Sequence, residues 1–193
     1  MPETLCLLVC TIIRPEVDAL LAQEHWDDVV VESFPAHCGL SPLSPGQIEA
    51  VTSSLGDVDR IEVLGSSCLC RLTPRDPSAI HVHRLPQCFE LVATEATVAA
   101  HLAAGAYLLT PGWLRDWRAH LSEWGFTQTQ ARSFFKEFAK QLVLLDTGID
   151  SEAQARLQTL ARFVNLPHAI EVVGLETLRT VLQDIVGQWA GSR

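Results

Sequence analysis

Two cysteines stand where a loop is expected, in the stretch EVLGSSCLCRL at residues 62–72. The apolar run at residues 60–64 predicts a short buried strand, so Cys68 and Cys70 follow its carboxyl end. Cysteine in folded proteins is usually buried as a small hydrophobic residue. Thiols in a loop instead point to metal binding or to a reactive thiolate.

All the cysteines of the chain lie in the first half of its sequence: Cys6, Cys10, Cys38, Cys68, Cys70 and Cys88. We expect a cytoplasmic protein, because the apolar run at residues 5–13 is too short to span a membrane and lacks the flanks of a signal peptide. Structural disulfides are rare in a reducing compartment. The cysteines are therefore predicted to be core residues, metal ligands or reactive thiols.

The composition favours one folded domain. The chain has 193 residues, of which 48% are hydrophobic and 19% charged, and its net charge is −9. No basic cluster appears in the sequence, so nucleic acid and anionic membranes are not expected as partners. We predict a single domain over residues 1–193.

Apolar segments alternate with amphipathic ones along the whole chain. Strands are predicted at residues 4–13, 28–34, 60–64, 79–85, 106–110, 141–145 and 169–173. Helices are predicted after Pro15 and at residues 45–55, 89–104, 111–124, 127–140, 151–164 and 175–189. This alternation predicts an α/β fold with a doubly wound, mainly parallel sheet of about seven strands, in three layers α/β/α.

The cysteines are expected to meet at the carboxyl ends of the strands, where such sheets bind ligands. If the strand order is 2-1-3-4-5, the ends of strands one, three and four are neighbours about 4.8 Å apart. A soft metal such as zinc needs three or four thiolate or imidazole ligands. We predict Cys10, Cys68 and Cys88 as metal ligands, with Cys70, His37 or His83 as a fourth. The alternative is that each cysteine is a buried small hydrophobe, which is the role expected for Cys6.

The same edge is predicted to carry the residues that bind a small-molecule ligand: His37, His83, Gly65, Ser67, Trp113 and Thr147. No glycine-rich phosphate loop and no Gly-x-Ser-x-Gly nucleophile elbow occurs in the sequence. Trp113, Trp117 and Trp124 fall near one face of a predicted helix. At that spacing they are expected to be core or interface residues.

Several segments, in the same order over nearly the whole chain, resemble an uncharacterised family of bacterial and archaeal proteins. It is a domain of unknown function often encoded beside corrinoid-dependent methylamine methyltransferases. The most specific segments are Cys10 followed by the Arg-Pro-Glu of residues 14–16, and the YLLTPGW of residues 107–113.

The resemblance also bears on the candidate ligands. The family's Tyr-Gly-x-Cys-Gly turn corresponds to residues 65–68, so its cysteine is Cys68 here. Its His-Asp-Cys corresponds to residues 86–88, where Cys88 is kept and the histidine is replaced. His37 matches a histidine in the family's second-strand loop. The resemblance implies that Cys10, Cys68 and Cys88 belong together, and it implies no established activity.

We therefore expect a metal- or cofactor-binding α/β domain, acting as a sensor or accessory module, with zinc or an iron–sulfur cluster on its thiolates. One alternative is a zinc-thiolate methyltransferase-like enzyme, with a corrinoid as partner, by analogy with the family's gene neighbourhood. Another is a cofactor-free interaction domain with buried cysteines. The resemblance implies that the family pattern continues beyond the Gly-x-Trp at residues 187–189. Two interpretations stay open: the chain is the N-terminal part of a longer protein with a C-terminal output domain, or it ends at its natural terminus.

Overall fold

A computed structural model describes residues 3–38, 42–55, 58–74 and 76–191. Within those ranges the strands are β1 (Leu5–Cys10), β2 (Val29–Phe34), β3 (Arg60–Gly65), β4 (Ile80–Arg84), β5 (Ala106–Leu109), β6 (Gln141–Asp146) and β7 (His168–Val172). The helices are α1 (Arg14–Glu24), α2 (Pro45–Thr52), α3 (Glu95–Ala103), α4 (Pro111–Arg115), α5 (Trp117–Glu123), α6 (Gln128–Phe138), α7 (Ala153–Val164) and α8 (Glu176–Ala190).

The strands form two parallel sheets flanked by helices, which confirms the α/β class and the parallel strand direction. The sequence predicted about seven strands in one sheet, whereas the described strands pair in sheets of four and three. One sheet of seven strands and two sheets of four and three would give the same alternation of apolar segments. That alternation depends on which residues are buried and not on which strands pair. The chain also divides into two compact units, residues 1–88 with 178–193, and residues 89–177.

The first unit contains the sheet β2-β1-β3-β4, in the strand order predicted for these four strands. Central strand β1 is enclosed on both faces, with residues 5–9 fully buried. Helix α2 begins at a capping box, in which Ser44 and Gln47 satisfy each other's backbone N–H groups next to Pro45. Its residue Ile48 packs on one face of the sheet with Cys6, Leu8, Phe34, Leu43, Ile61, Val63, Leu69 and Leu72.

The second unit contains the sheet β5-β6-β7 and helices α3 to α7. Two predicted helices are shorter than expected. The helix predicted at residues 111–124 is divided into α4 and α5 at Asp116, whose backbone leaves the helical region. The helix predicted at residues 89–104 begins only at α3, because the Thr94 side chain caps it by accepting a hydrogen bond from the Thr97 N–H.

Trp113 and Trp117 belong to the core of the second unit, as predicted, although they lie on two helices, α4 and α5. Trp113 and Trp117 are almost completely buried. The Trp113 ring lies 6.2 Å from that of Trp124, and the Trp117 ring lies 5.1 Å from that of Phe163. None of the helices in the described ranges has the length and apolar character needed to cross a membrane.

Candidate thiolate site at the carboxyl edge of the first sheet

Each strand of the first sheet is followed by a cysteine at its carboxyl end. Cys10 is the last residue of β1, and Cys38, Cys68 and Cys88 follow β2, β3 and β4 within three or four residues. Because all these strands are parallel, their carboxyl ends share one edge of the sheet. We call these four residues the rim cysteines.

Cys38 is the rim cysteine that was not predicted as a ligand. It follows β2 just as Cys68 follows β3, so its position after a strand end is the sequence signal that identifies it. By contrast, Cys70 is an exposed residue at the end of a 3-10 turn, Ser67–Leu69. Cys6 is fully buried in the core, as predicted.

Cys68 and Cys88 influence each other's ionisation more than any other group does. The Cys88 thiol favours the thiolate form of Cys68 and lowers the pKa of Cys68 below its usual value, aided by backbone N–H groups and by the charge of His37. The Cys68 thiolate and desolvation in turn raise the pKa of Cys88. Cys68 is therefore the rim cysteine that most readily becomes a thiolate.

A buried hydroxyl fixes the position of Cys88. Ser66 Oγ lies 3.1 Å from Cys88 Sγ, and Ser66 is buried between β3 and the 3-10 turn. The Leu85 N–H also donates to the Gly65 carbonyl at 2.8 Å. These two bonds hold the segments after β3 and β4 together, and they position Cys88 beside Cys68.

Cys10 and Cys38 lie close enough to Cys68 for its charge to affect their ionisation. Desolvation raises the pKa of Cys10, and the charge on Cys68 raises it further. Desolvation and the charges of Cys10 and Cys68 raise the pKa of Cys38 to about 12. Cys10 and Cys68 also pack against the same core cluster. The rim cysteines thus form one electrostatically coupled group, in which one thiolate opposes the ionisation of the others.

The donor set suits a soft metal, but the side chains are not arranged as a complete ligand set. Within the described parts of the chain, no group of three or more His, Cys, Asp or Glu residues is placed to hold a metal ion. The metal site of Cys10, Cys68 and Cys88 with Cys70 stays a prediction. Among the described residues, the nearest candidates for ligands are the rim cysteines and His37, whose Nε2 lies 3.3 Å from Gln47 Nε2.

Gly65 leaves no room for a side chain at the end of β3. A Cβ at this position would lie 2.7 Å from Leu69 Cδ1 and 3.5 Å from Cys68 Sγ. Leu69 is fully buried, so it cannot swing into solvent to relieve that contact. Gly65 therefore allows the 3-10 turn to fold back onto the strand and to place Cys68. Of the predicted binding residues, Ser67 is exposed in this turn.

We expect Gly65→Ala to lower the free energy of unfolding by about 1–3 kcal/mol, because the added methyl group overpacks the turn. Gly46→Ala in α2 is the matched control, since no atom lies within 4 Å of the place that its methyl group would occupy. Its stability should be unchanged or slightly higher. Urea unfolding of both variants makes the comparison, and equal midpoints would contradict the assigned role of Gly65.

His83 is engaged on the other face of the sheet. His81 and His83 share a face of β4, and both lie beside the fully buried carboxylate of Glu62 on β3. His83 Nε2 donates to Glu62 Oε2 at 2.5 Å. Side chains alternate along a strand, so Glu62 faces away from the core that Ile61 and Val63 share with Cys10. His83 is thus held apart from the rim cysteines, although a ligand-binding role for it stays a prediction.

Trp113 and Thr147 lie in the second unit, where both are buried. Trp113 follows Thr110, whose hydroxyl accepts from the Trp113 N–H and caps α4. Thr147 follows Asp146, which accepts hydrogen bonds from the Gly148 N–H at 2.9 Å and from Gln154 Nε2 at 3.0 Å. Asp146 is therefore a turn-stabilising residue. Ligand binding by Trp113 and Thr147 stays a prediction.

The fold and this edge define an α/β protein with parallel sheets and a group of coupled thiols at the strand ends of the first one. A family model described as "Protein of unknown function (DUF1638)" matches residues 47–182. The match covers more than half of the chain, so the protein belongs to this family of unknown function. Cys68, Cys70 and Cys88 lie inside the matched range, and Cys10 and His37 precede it. The comparison with curated proteins finds no match.

Proposed function

We propose that the first unit binds a soft metal, zinc or an iron–sulfur cluster, through the rim cysteines, and that the protein works as a metal-dependent sensor or accessory module. The observation that carries this proposal is the cysteine at each of four adjacent parallel strand ends. Thiolates select zinc and iron–sulfur clusters over hard cations such as magnesium. Four thiolates are also the ligand number of a closed zinc site or of one cluster.

The electrostatics of this edge support the proposal. Cys68 has a lowered pKa, whereas burial first, and then the negative charge of neighbouring thiolates, raises the pKa of Cys10 and Cys38. A divalent cation would remove this repulsion and stabilise the deprotonated form of every ligand. Metal uptake should therefore release protons.

Metal binding requires the thiols to move closer together than they lie in the structure. The rim cysteines have room to move, because Cys10, Cys68 and Cys88 are only partly buried and Cys38 is exposed. Ser66 and the turn after β3 hold Cys68 and Cys88 together. We propose that these two are the first pair to engage the metal, and that Cys10 and Cys38 complete the site.

The test is metal analysis of protein purified without chelators or metal-affinity columns, together with its visible spectrum. A brown protein with iron and sulfide would support a cluster, and a colourless protein with about one zinc per chain would support a zinc site. If the protein holds neither metal and takes up neither on anaerobic reconstitution, the proposal is wrong.

Two serine variants sharpen the test because their positions are neighbours in one turn. Replacing a residue that only orients a metal ligand lowers metal affinity roughly 10–100-fold. Cys68→Ser removes a proposed ligand itself, so we expect it to lower metal affinity by more than that. Cys70→Ser is the matched control and should bind like the natural chain. Equal losses in the two variants would show that the rim cysteines are not the ligands. A competition titration with a chromophoric chelator measures both affinities.

A further inference from the structure

The Cys68–Cys88 pair stands apart from the other rim cysteines. Both sulfurs lie beside neighbouring residues at the end of β3: Cys88 Sγ is 3.1 Å from Ser66 Oγ, and Cys68 Sγ is 3.5 Å from the place that a Cβ on Gly65 would occupy. A disulfide requires two sulfurs to face each other and to close to about 2.05 Å. The two sulfurs lie on neighbouring segments at the end of β3, so this pair is the candidate for such a bond.

The surroundings of the pair keep that arrangement in place. Ser66 Oγ lies 3.1 Å from Cys88 Sγ, and the hydrogen bond from the Leu85 N–H to the Gly65 carbonyl joins the two segments just before the cysteines. Both cysteines are partly exposed, so a small oxidant can reach them. The pair is therefore held ready to react while remaining open to solvent.

We propose that Cys68 and Cys88 form a reversible disulfide, and that this disulfide controls occupancy of the thiolate site. The regulatory part rests on the proposed metal-binding function, and the disulfide itself does not. A disulfide sulfur is not a thiolate, so oxidation removes two of the four ligands from the rim. The oxidised protein then loses its metal, and a dithiol reductant restores the site.

The oxidation balances with a peroxide as the two-electron oxidant. The Cys68 sulfur attacks one peroxide oxygen, which forms an S–O bond, breaks the O–O bond and, with one proton, releases water. The Cys88 sulfur then attacks the Cys68 sulfenic acid, which forms the S–S bond and breaks the S–O bond. The departing hydroxide takes the Cys88 proton and leaves as a second water. The two thiols are oxidised by two electrons, and the peroxide is reduced to water.

Peptide mapping of the metal-free protein tests the disulfide. After treatment with one equivalent of hydrogen peroxide and alkylation of the remaining thiols, trypsin cleaves after Arg71 and Arg84 and so separates Cys68 from Cys88. The expected product is a pair of peptides joined by a disulfide. Because the first peptide also contains Cys70, the mapping is repeated on two variants. Cys70→Ser should keep the joined peptides and Cys68→Ser should lose them. The reverse result, or no joined peptides at all, overturns the proposal.

Zinc uptake by the reduced, oxidised and re-reduced protein tests the regulation. We expect the reduced and re-reduced forms to bind zinc and the oxidised form to lose at least about 100-fold in affinity, more than the cost of losing a residue that only orients a ligand. Equal binding by the oxidised form overturns the regulatory inference while leaving metal binding intact. No zinc or iron–sulfur uptake by the reduced form overturns the proposed function and the regulation with it. In that case the peptide map alone decides whether the dithiol pair exists.

Discussion

Replacing Phe34 with alanine is expected to lower the free energy of unfolding of the first unit by about 3–5 kcal/mol. Phe34 is the last residue of β2 and is fully buried. It belongs to the core cluster against which Cys10 and Cys68 pack. The substitution removes a whole aromatic ring from a close-packed core, so the loss combines transfer free energy with a cavity.

The same substitution should also disturb the candidate site. Phe34 is the register partner of Cys10, and its carbonyl accepts a hydrogen bond from the Thr11 N–H at 3.0 Å. We therefore expect hydrogen exchange to increase in residues 5–10 and 29–34 of the variant. Residues 141–146 of β6, in the second unit, should keep their protection. Hydrogen-exchange mass spectrometry separates the two units, which one global unfolding curve does not.

Phe138→Ala is the matched control for ring removal. Phe138 is 64% exposed on α6, so the loss of its ring should change the unfolding free energy by less than about 0.5 kcal/mol. A similar loss of stability in both variants would contradict the assigned core of the first unit. So would a Phe34→Ala variant with unchanged protection of β1.

The sequence was sufficient to predict the local elements, because burial leaves a clear pattern in it. The strand at residues 4–13 reads as buried on both faces, and β1 is indeed fully buried. Its predicted end was three residues too late, because the Ile13 N–H bonds back to the Cys10 carbonyl and turns the chain. Thr11 to Ile13 are apolar enough to look like strand, and that turn hydrogen bond has no sequence signature.

The features that were missed depend on contacts between distant segments. Cys38 lies with the other rim cysteines because β2 pairs with β1 in the sheet. Glu62 is buried because partners on β4, such as His83, lie against its carboxylate. A glutamate in an apolar run is compatible with a strand, and its neighbours in the sequence do not show which residues bury it. The division of the strands into two sheets likewise depends on pairing, which the period of hydrophobic residues does not encode.

Glu62 is the residue for which we expect the largest effect of removing a charge. Its carboxylate is fully buried, and Oε1 accepts from Arg60 Nε at 2.5 Å while Oε2 accepts from His83. Arg60 Nη2 also donates to His81 Nδ1 at 2.8 Å. Removing the carboxylate would leave a guanidinium and an imidazole against the sheet with no counter-charge between them.

We expect Glu62→Ala to cost about 2–3 kcal/mol of unfolding free energy, below the 3–5 kcal/mol typical of fully buried pairs. The reduction follows from exposure, since the side chains of Arg60 and His83 are 19% and 36% accessible and water compensates part of the loss. Glu62→Gln keeps the shape and one acceptor, so it should cost less. The matched control on an exposed pair is Asp18→Ala, which removes one of the two carboxylate partners of Arg14 on α1 and should change stability by less than about 1 kcal/mol.

The pH dependence identifies the charge as the cause. Burial opposes ionisation of Glu62, but hydrogen bonds from His83 and Arg60 outweigh it, and the net pKa lies below the ordinary value of 4.5. A carboxyl group with a lowered folded-state pKa contributes stability that is present above the unfolded-state pKa and lost as the pH falls through the folded-state pKa. The stability advantage of the natural chain over Glu62→Gln should therefore be constant near pH 5 and shrink toward pH 3, a window below the range in which ordinary histidines titrate. Urea unfolding at half-unit pH steps measures the difference, and an advantage that grows on acidification would show that the buried carboxylate is held in its neutral form.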